Sequence, residues 1–417
     1  MVATIGSRST WFACKVPSLV LVSTFAILGV RTTMAVGFTD ETSYSVGVVP
    51  FSIASADFNG DGRNDLAIAN GNDYAISVLI NNTDPDSFVP NFANQQQFPS
   101  STAPTAIATG DINMDGRPDI VATGWYGVVS VLLNDAQPGS TSASFSAYLP
   151  LTGTNEVRSV ALADMNGDGK VDIVTNIEAI SAFAVWLNMT PAGATVASFA
   201  AIQTFDAGST PMAVAAADLN LDGRPDLIAA NNYYNRVHVR LNTTATGSGS
   251  VTMSASSSFV VGAGAFSLAA DDMNGDAKPD LVVANAGVNT VSILLNATSV
   301  GASTPAFEPQ SIFATGARPL STSTADINGD GKPDVLTSNY EGSSVSVLTN
   351  MTNPEGYLEF AAKEDFATGS GARGVVPSDL NGDGMADLGV ANSGNNSASV
   401  LLNTTAPYDP LFSSGFE

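Results

Sequence analysis

Short apolar runs separated by polar turns follow one another along most of the chain. Residues 308–350 show one such unit, in which the apolar runs are SIFAT, PLSTSTA, DVLTSN and SVSVLTN. The turns between them are GARP, an acidic nonapeptide and YEGS, which are rich in residues that end strands. No segment has a helical period of useful length. The pattern therefore predicts four strands per unit, with SIFAT as the first and SVSVLTN as the fourth.

An acidic nonapeptide recurs at a constant distance along the chain. DINGDGKPD occupies residues 326–334, and the copies follow one another every 53 or 54 residues. The seven copies begin at Asp57, Asp111, Asp164, Asp218, Asp272, Asp326 and Asp379. A unit of this length is too small to bury a core alone, so the copies must pack on one another. Seven copies predict an all-β, seven-bladed β-propeller with four antiparallel strands per blade, rather than a parallel β-solenoid with its shorter coils.

The two ends of the repeat region indicate how the ring closes. The run GFTDETSY (37–44) precedes the first nonapeptide, while the last copy ends at VLLN (400–403) without such a strand after it. We expect the N-terminal strand to complete the seventh blade, which removes an open sheet edge. The predicted propeller covers residues 36–405, and residues 406–417 form a C-terminal tail.

The first 35 residues have the order of a secretory signal peptide. Arg8 and Lys15 precede the apolar run VPSLVLVSTFAILGV (16–30), and TMA (33–35) supplies small residues for cleavage after Ala35. The run is short for a membrane span, and no later segment is suited to one. We therefore expect a secreted or cell-surface protein. Its only cysteine, Cys14, would leave with the signal peptide, so disulfides would not stabilise the mature chain.

Negative charge is concentrated in the nonapeptides. The formal net charge is −24, and 21 of the 39 acidic residues lie in the seven copies. Such a surface disfavours nucleic acid and anionic membranes as partners. Three carboxylates within nine residues repel one another in a folded chain, and without a cation this repulsion would open each hairpin.

The nonapeptide has the oxygen ligands of a calcium loop. Side chains at steps one, three, five and nine and the backbone carbonyl at step seven can converge on one ion, and Gly at step six allows the turn. An EF-hand differs, because helices flank it and Glu closes it at step twelve. The alternative is a set of polar hairpin turns. We predict up to seven Ca²⁺ ions. The predicted ligands are Asp57, Asn59, Asp61, Arg63, Asp65, Asp111, Asn113, Asp115, Arg117, Asp119, Asp164, Asn166, Asp168, Lys170, Asp172, Asp218, Asn220, Asp222, Arg224, Asp226, Asp272, Asn274, Asp276, Lys278, Asp280, Asp326, Asn328, Asp330, Lys332, Asp334, Asp379, Asn381, Asp383, Met385 and Asp387.

Three departures from the common loop pattern lead to expectations. Ala277 replaces Gly at step six, where a positive φ would cost about 1 kcal/mol and weaken that site. Met114 and Leu221 replace Gly at step four, and we expect both sites to survive because their ligands are intact. Step seven is basic in six copies, and Met385 is the exception. We expect those basic side chains to point to solvent rather than to form an anion-binding ring.

The copies resemble FG-GAP/VCBS repeats, the units of the calcium-bearing propeller of integrin α chains and of many bacterial exported proteins. The resemblance rests on DINGDGKPD followed by DVLTSN and SVSVLTN, and it covers about residues 37–403. It implies a calcium loop between the first and second strands of each blade, on one face of the disk. Similar repeats also occur in a fungal seven-bladed lectin and in some polysaccharide lyases, so the resemblance leaves the ligand open.

The face opposite the loops is predicted to carry aromatic residues and arginines. The aromatics follow the second strand of their blades, and the arginines precede the first strand. We predict a glycan- or peptide-binding surface, and the alternative is that these aromatics cover the seams between blades. The predicted residues are Tyr74, Trp125, Tyr126, Arg158, Tyr233, Tyr234, Arg318, Tyr340 and Arg373.

Asn-x-Ser/Thr recurs at one position of the repeat. A turn in which Asn and Thr satisfy backbone groups explains this more simply than serial glycosylation. The six copies are at Asn81, Asn188, Asn242, Asn296, Asn350 and Asn403.

Catalytic chemistry has little support in the sequence. The single histidine, His238, lies in the apolar run VHVRLN, and no serine or cysteine has a recognisable catalytic partner. We therefore predict an exported, calcium-binding, monomeric module for binding or adhesion to carbohydrate or a surface protein. The alternatives are a calcium-dependent, lyase-like enzyme acting on polysaccharides and a purely structural surface protein.

Overall fold

Runs of three to seven residues, many of them rich in Val, Ile, Leu and Ala, form strands, because Gly, Asn and Asp at their ends favour turns. The computed structural model describes residues 35–100, 103–153, 155–353 and 356–406. Except for Ala35 and Ala406, the predicted signal peptide and C-terminal tail lie outside these residues. The described residues form 28 strands and one 3₁₀ helix, Glu178–Ile180.

The strands make seven antiparallel sheets of four strands each, which we name blades 1 to 7. In chain order the strands are β1 (Thr42–Ser45); in blade 1, β2 (Pro50–Ala56), β3 (Asp65–Asn70), β4 (Ala75–Leu79) and β5 (Gln96–Pro99); in blade 2, β6 (Pro104–Gly110), β7 (Asp119–Gly124), β8 (Val129–Leu132) and β9 (Leu149–Leu151); in blade 3, β10 (Val160–Ala163), β11 (Asp172–Ile177), β12 (Ala182–Trp186) and β13 (Gln203–Asp206); in blade 4, β14 (Pro211–Ala217), β15 (Asp226–Asn231), β16 (Arg236–Arg240) and β17 (Ser257–Val260); in blade 5, β18 (Ala265–Asp271), β19 (Asp280–Asn285), β20 (Thr290–Leu294) and β21 (Ser311–Ala314); in blade 6, β22 (Pro319–Ala325), β23 (Asp334–Asn339), β24 (Ser344–Leu348) and β25 (Glu364–Ala367); in blade 7, β26 (Ala372–Ser378), β27 (Asp387–Asn392) and β28 (Ser397–Leu401).

The predicted fold is confirmed, with one correction to the strand assignment. SIFAT contributes β21, which pairs with β20 as the outermost strand of blade 5. The following run, PLSTSTA, is β22 and begins blade 6. The unit in residues 308–350 therefore spans two blades, because its first run belongs to the preceding sheet.

The N-terminal strand completes blade 7, as the sequence predicts. Strand β1 pairs antiparallel with β28, with Thr42 opposite Val400. Before β1, Phe38 forms a bridge with Asn403. The inner strand β26 of blade 7 also contacts β2 of blade 1, as each inner strand contacts the next. These contacts close the ring with chain segments from both ends of the propeller.

Burial differs systematically across each blade. Every residue of the second strand is buried, from β3 to β27, because neighbouring blades cover both of its faces. The outermost strand alternates between half-buried and exposed residues in all seven blades, for example in β21. The core consists of clusters between adjacent blades, such as Ile53 and Leu66 packed with Leu380 and Val400. Removing such side chains from water provides the main driving force for stacking the blades.

A β-bulge marks the start of six inner strands. In β26, Ala372 pairs with Asn392 and Gly374 pairs with Ala391, so Arg373 between them has no partner in the ladder. A bulge redirects the side chain of the extra residue. The six bulge residues are Phe51, Thr105, Met212, Phe266, Leu320 and Arg373.

In the described part of the chain, no helix has the length and apolar character needed to cross a membrane.

Candidate functional site

The seven nonapeptides connect the first and second strands of the blades. Strand β2 ends at Ala56, DFNGDGRND begins at Asp57, and β3 begins at Asp65, the ninth residue of that loop. Corresponding connections occur in all seven blades. The loops therefore lie on one side of the ring, which we call the loop face. The turns between second and third strands lie on the opposite side, which we call the arginine face.

The first Asp of each loop organises the turn. Backbone N–H of Gly60 donates to Oδ1 of Asp57 over 2.7 Å, and N–H of Gly62 donates to its Oδ2 over 2.8 Å. The other six loops make equivalent bonds from step six to step one, including Ala277 to Asp272. A carboxylate that accepts several N–H groups fixes a tight turn around its own oxygens.

The ninth Asp of each loop connects the loop to the third strand. In blade 4, Oδ2 of Asp226 accepts N–H of Leu219 over 2.9 Å, and its Oδ1 accepts N–H of Asn242 over 2.7 Å. All seven copies repeat both bonds. Each oxygen retains a second lone pair, so these bonds leave acceptor capacity for a cation.

Burial perturbs these seven carboxyls. The side chain of Asp226 is fully buried, and this loss of water raises its pKa to about 7. Its two backbone hydrogen bonds oppose the increase, whereas the nearby Asp222 and Asp218 add to it. The pKa is raised to about 7 in five other copies and to about 6 at Asp119, again mainly by burial. A nearby cation would favour the charged form of each group.

Seven asparagines connect neighbouring blades. Nδ2 of Asn242 donates to the carbonyl oxygen of Met165 in blade 3 over 2.9 Å, and its Oδ1 accepts N–H of Thr244 over 2.9 Å. The same bonds occur at Asn81, Asn134, Asn188, Asn296, Asn350 and Asn403, all buried. The turn predicted for the six Asn-x-Ser/Thr positions is therefore confirmed. We call these residues the asparagine ring.

Five of the six basic residues at step seven pair with the acidic residue at step five of their own loop. Arg63 lies 2.6 Å from the carboxylate of Asp61, and its Nε donates to the carbonyl oxygen of Asn81 over 3.0 Å. Arg117 and Arg224 make equivalent contacts, and Lys278 and Lys332 lie 3.9 Å from their step-five aspartates. The side chains of the three arginines stay 37–40% exposed, as the sequence predicts, while each also binds a carboxylate and a carbonyl of its own blade.

Positive φ occurs at two steps of every loop. Ala277 has φ of 66° at step six, as the sequence predicts for this position. Step four also has positive φ, with 54° at Met114 and 53° at Leu221. The sequence analysis missed this second requirement. Both side chains occupy a region that glycine enters without steric cost.

The donor set of the loops fits a hard cation. In the second and fourth loops, Oδ1 of Asn113 and of Asn220 is buried without a hydrogen-bond partner in the described structure. An orphaned oxygen acceptor at step three is consistent with a cation contact there. Among the described residues, no three His, Cys, Asp or Glu side chains are grouped as a metal site. The predicted ligands, with Asn and a carbonyl in each set, therefore stay predictions.

The arginine face brings five of the predicted ligand-binding residues together. The rings of Tyr74 and Tyr126 are parallel within 3°, with centroids 6.3 Å apart. Trp125 lies edge-on to Phe51 at 6.3 Å, and the guanidinium of Arg158 lies 4.7 Å from the centre of the Trp125 ring. We call Phe51, Tyr74, Trp125, Tyr126, Arg158 and Arg373 the aromatic–arginine cluster.

Two cavities border this cluster. Phe51, Tyr74, Trp125 and Tyr126 line a groove of about 430 Å³ together with Glu156. A second cavity of about 130 Å³ lies at the start of the inner strands and is lined by all six bulge residues and by Arg158. The two spaces share Phe51 as a lining residue, so they are neighbours on the arginine face.

Arg373 lines the smaller cavity and packs on the aromatic residue that the two cavities share. Its guanidinium lies 3.8 Å from the centre of the Phe51 ring. Burial lowers the pKa of Arg373 to about 10, Tyr340 opposes this change, and the charges of Arg158 and Arg318 add to it. The sequence analysis placed Arg373 in the turn before the first strand, but it lies inside β26 at the bulge.

The remaining predicted residues form two smaller pairs. Arg318 lies over the ring of Tyr340 at 5.2 Å and 3.3 Å from the carboxylate of Glu341. Tyr233 and Tyr234 pack edge to face at 5.0 Å, with 73% and 59% of their surfaces exposed. Phe51 was missed because an aromatic residue at the start of an apolar run is expected in the core. A proline directly precedes the bulge residue in four inner strands, and this recurrence was the available signal in the sequence.

His238 occupies a strand position, as predicted. It lies in β16, and its Nδ1 is 3.2 Å from Oγ of Ser256. Burial lowers its pKa, and the nearby Asp206 opposes that effect.

Known proteins share this repeat and this fold. The FG-GAP-like repeat family matches residues 57–122, 111–175, 218–283, 272–337 and 326–390, which together cover more than half of the chain. No curated protein has a significantly matching sequence. BBS1N, solved in complex with ARL6DN in a crystal soaked with mercury, is similar with a TM-score of 0.56 and 11% identity, over 89% of this chain and 100% of that one. A Lactobacillus plantarum protein is similar with a TM-score of 0.53 and 14% identity, over 77% and 86%. At these identities the structures show the fold alone, whereas the matched repeats show that the chain belongs to the FG-GAP-like repeat family.

Proposed function

We propose that this propeller is an exported binding module that contacts a protein partner through its arginine face and is stabilised by calcium on its loop face. The observation that carries the proposal is the aromatic–arginine cluster, which joins residues from blades 7, 1, 2 and 3 around a groove. Tyr126 is 67% exposed and Trp125 is 40% exposed, although both are large enough to serve as core residues. Exposed Tyr, Trp and Arg side chains are enriched at protein-binding hot spots.

Calcium is the cation that the loop chemistry favours. The predicted ligands at steps one, three, five and nine would supply side-chain oxygens, and step seven would supply its carbonyl. When bound, the ion supplies positive charge that offsets the repulsion of three carboxylates in each loop. For the affinities of extracellular modules, one site adds about 1 kcal/mol near millimolar calcium. Seven such sites would be comparable with the whole stability of a domain.

Export is supported by the sequence of residues 1–35, where basic residues, an apolar run and small residues follow in order. A protein partner is also compatible with the use of this fold in BBS1N, which was crystallised in complex with ARL6DN. The fold itself does not choose the partner, so the proposal depends on the cluster.

Carbohydrate is the second candidate ligand. The parallel rings of Tyr74 and Tyr126 form an exposed double platform, on which the apolar face of a sugar ring could pack. The groove beside them has the volume of a small-ligand site, and Glu156 adds a hydrogen-bond acceptor.

The test compares wild-type protein with Tyr126→Ala in two binding screens, one with immobilised extracellular proteins and one with a glycan array. We expect a protein ligand whose affinity falls at least about tenfold in Tyr126→Ala, which corresponds to a hot-spot residue. Val89→Ala is the matched control, because Val89 is 74% exposed in a loop outside the cluster. Binding that depends on neither residue contradicts the proposed surface. Glycan binding lost in Tyr126→Ala would instead establish the second candidate.

A further inference from the structure

The bulge residues surround the cavity at the start of the inner strands, which we call the mouth of the central channel. Six blades direct a bulge residue into the same cavity of about 130 Å³, and blade 3 contributes Arg158. Five of the six bulge residues are uncharged, and Arg373 is the exception. The bulge residues therefore surround a small, largely apolar space. Among them, the guanidinium comes from blade 7 alone.

The arginines near this mouth differ in their partners. Arg158 pairs with the carboxylate of Glu178, and Arg318 pairs with that of Glu341. Within the described ranges, the guanidinium of Arg373 has neither a hydrogen bond nor an ion pair with another protein group, and it lies over the face of the Phe51 ring. The guanidinium has five N–H donors, and stacking on Phe51 leaves its hydrogen-bonding edge without a protein acceptor.

A half-buried guanidinium without an acceptor costs free energy, which an anionic ligand would recover. The planar fork of arginine matches a carboxylate with two parallel hydrogen bonds. The small cavity favours a single carboxylate, since small residues such as Ser52 and Gly374 line it beside the bulge residues. A polyanion is disfavoured, because the chain carries a formal charge of −24.

We propose that Arg373 is the anchor for a single carboxylate of the protein partner, which enters the mouth of the central channel beside Phe51. This inference rests on the proposed function, because the partner would reach the mouth across the aromatic–arginine cluster. The carboxylate belongs to an Asp or Glu side chain or to a chain terminus, and the guanidinium fork recognises both in the same way.

The experiment follows the Nε–Hε NMR signals of arginine in the intact protein during titration with propionate, a minimal carboxylate. The signal of Arg373 is assigned by its loss in Arg373→Gln, or in the charge-preserving Arg373→Lys if the first variant does not fold. We expect this signal to shift progressively to saturation with propionate and to stay in place with uncharged propionamide. Arg240 provides the internal control, because its Nε already donates to the carbonyl oxygen of Asp206 over 2.7 Å.

An Arg373 signal that moves no more than that of Arg240, or that responds equally to propionamide, would overturn the inference. This measurement needs no partner, so its failure is separate from that of the proposed function, which Tyr126→Ala tests. Once a protein partner is known, replacing its contacting acid by the amide should weaken binding to wild-type protein but not to Arg373→Gln.

Discussion

On the loop face, the same two hydrogen bonds recur at all seven step-nine aspartates, whereas on the arginine face the bulge residues range from Thr105 to Arg373. Beside these aspartates, the asparagine ring joins each blade to its neighbour, so a change at one copy affects the ring itself. The side chains of the arginine face project from turns and bulges that the backbone already fixes. The comparison indicates that the repeated positions maintain the fold and that the positions which vary are available for a ligand.

Removal of calcium, which would act on the loop face, should change stability more than any substitution on the arginine face. We expect a chelator to lower the melting temperature by about 10 °C, because seven sites of about 1 kcal/mol each would be lost. Calorimetry with and without chelator measures this change, and re-addition of calcium should reverse it. Equal melting temperatures in both conditions would show that hydrogen bonds alone hold the loops.

Stability should change with pH in opposite directions in the calcium-free protein and in the contribution that bound calcium makes. In chelator, the buried step-nine carboxyls have pKa values raised to about 7, or about 6 at Asp119. Such groups contribute stability that is fully present below their unfolded pKa and is lost as pH rises through the folded pKa. The calcium-free protein should therefore become more stable as pH falls from 8 to about 4.

With calcium, the same carboxylates must be ionised, so the stabilisation by the ion should weaken over that range. Melting curves at several pH values, with and without chelator, should therefore converge as pH falls. Parallel curves would contradict a cation contact at these groups.

Replacing one asparagine of the ring should destabilise the protein far more than replacing its exposed neighbour. Asn81→Ala removes bonds to the carbonyl oxygen of Leu380 and to N–H of Thr83, and we expect a loss of about 3 kcal/mol. Asn82→Ala is the control, since Asn82 is exposed and should change stability by less than about 0.5 kcal/mol. Chemical denaturation of both variants gives the comparison. Similar losses in the two would remove the blade-to-blade role of the ring.

Glycine at strained loop positions should stabilise the protein modestly. Leu221→Gly and Met114→Gly relieve positive φ at step four, and Ala277→Gly does so at step six. We expect a gain of about 1 kcal/mol for each in the presence of calcium, less the entropy cost of glycine in the unfolded chain. Gly275→Ala provides the reverse control, because Gly275 has φ of 80° and open space around its missing Cβ. No gain in any of the three would mean that these loops carry little backbone strain.

The arginine face should give the smallest effect on stability. Tyr126→Ala and Tyr233→Ala truncate side chains that are 67% and 73% exposed, and each should alter unfolding free energy by less than about 0.5 kcal/mol. Differential scanning fluorimetry is sufficient to check this. A large destabilisation would support the alternative that these aromatics cover the seams between blades.

The repeat was sufficient to predict the blades, their number and the closing strand, because each depends on short-range patterns present in several copies. The bulges were not predictable, since the pairing of Ala372 and Gly374 around Arg373 depends on register between strands. The contacts of Arg63 were missed for a related reason. Its carbonyl partner at Asn81 lies 18 residues away and becomes a neighbour only after the blade folds.

The individual pairs of the arginine face were also beyond sequence analysis. Tyr74 and Tyr126 were each identified as exposed turn residues, but their parallel stacking depends on how blades 1 and 2 pack. The acidic loops show the opposite case. Their donor types were evident from the nonapeptide, while the hydrogen bonds of Asp226 to Leu219 and Asn242 appear only in the folded loop.

Pairing of β1 with β28 has a consequence for the order of events during synthesis. Thr42 leaves the ribosome long before Val400, so its partner does not exist while the first six blades can already assemble. Strand β1 therefore stays unpaired, or pairs transiently with another strand edge, until β28 has been synthesised. Closure of the toroid must therefore follow synthesis of blade 7, and a nascent chain that stops before Ser397 would leave β1 without its partner strand.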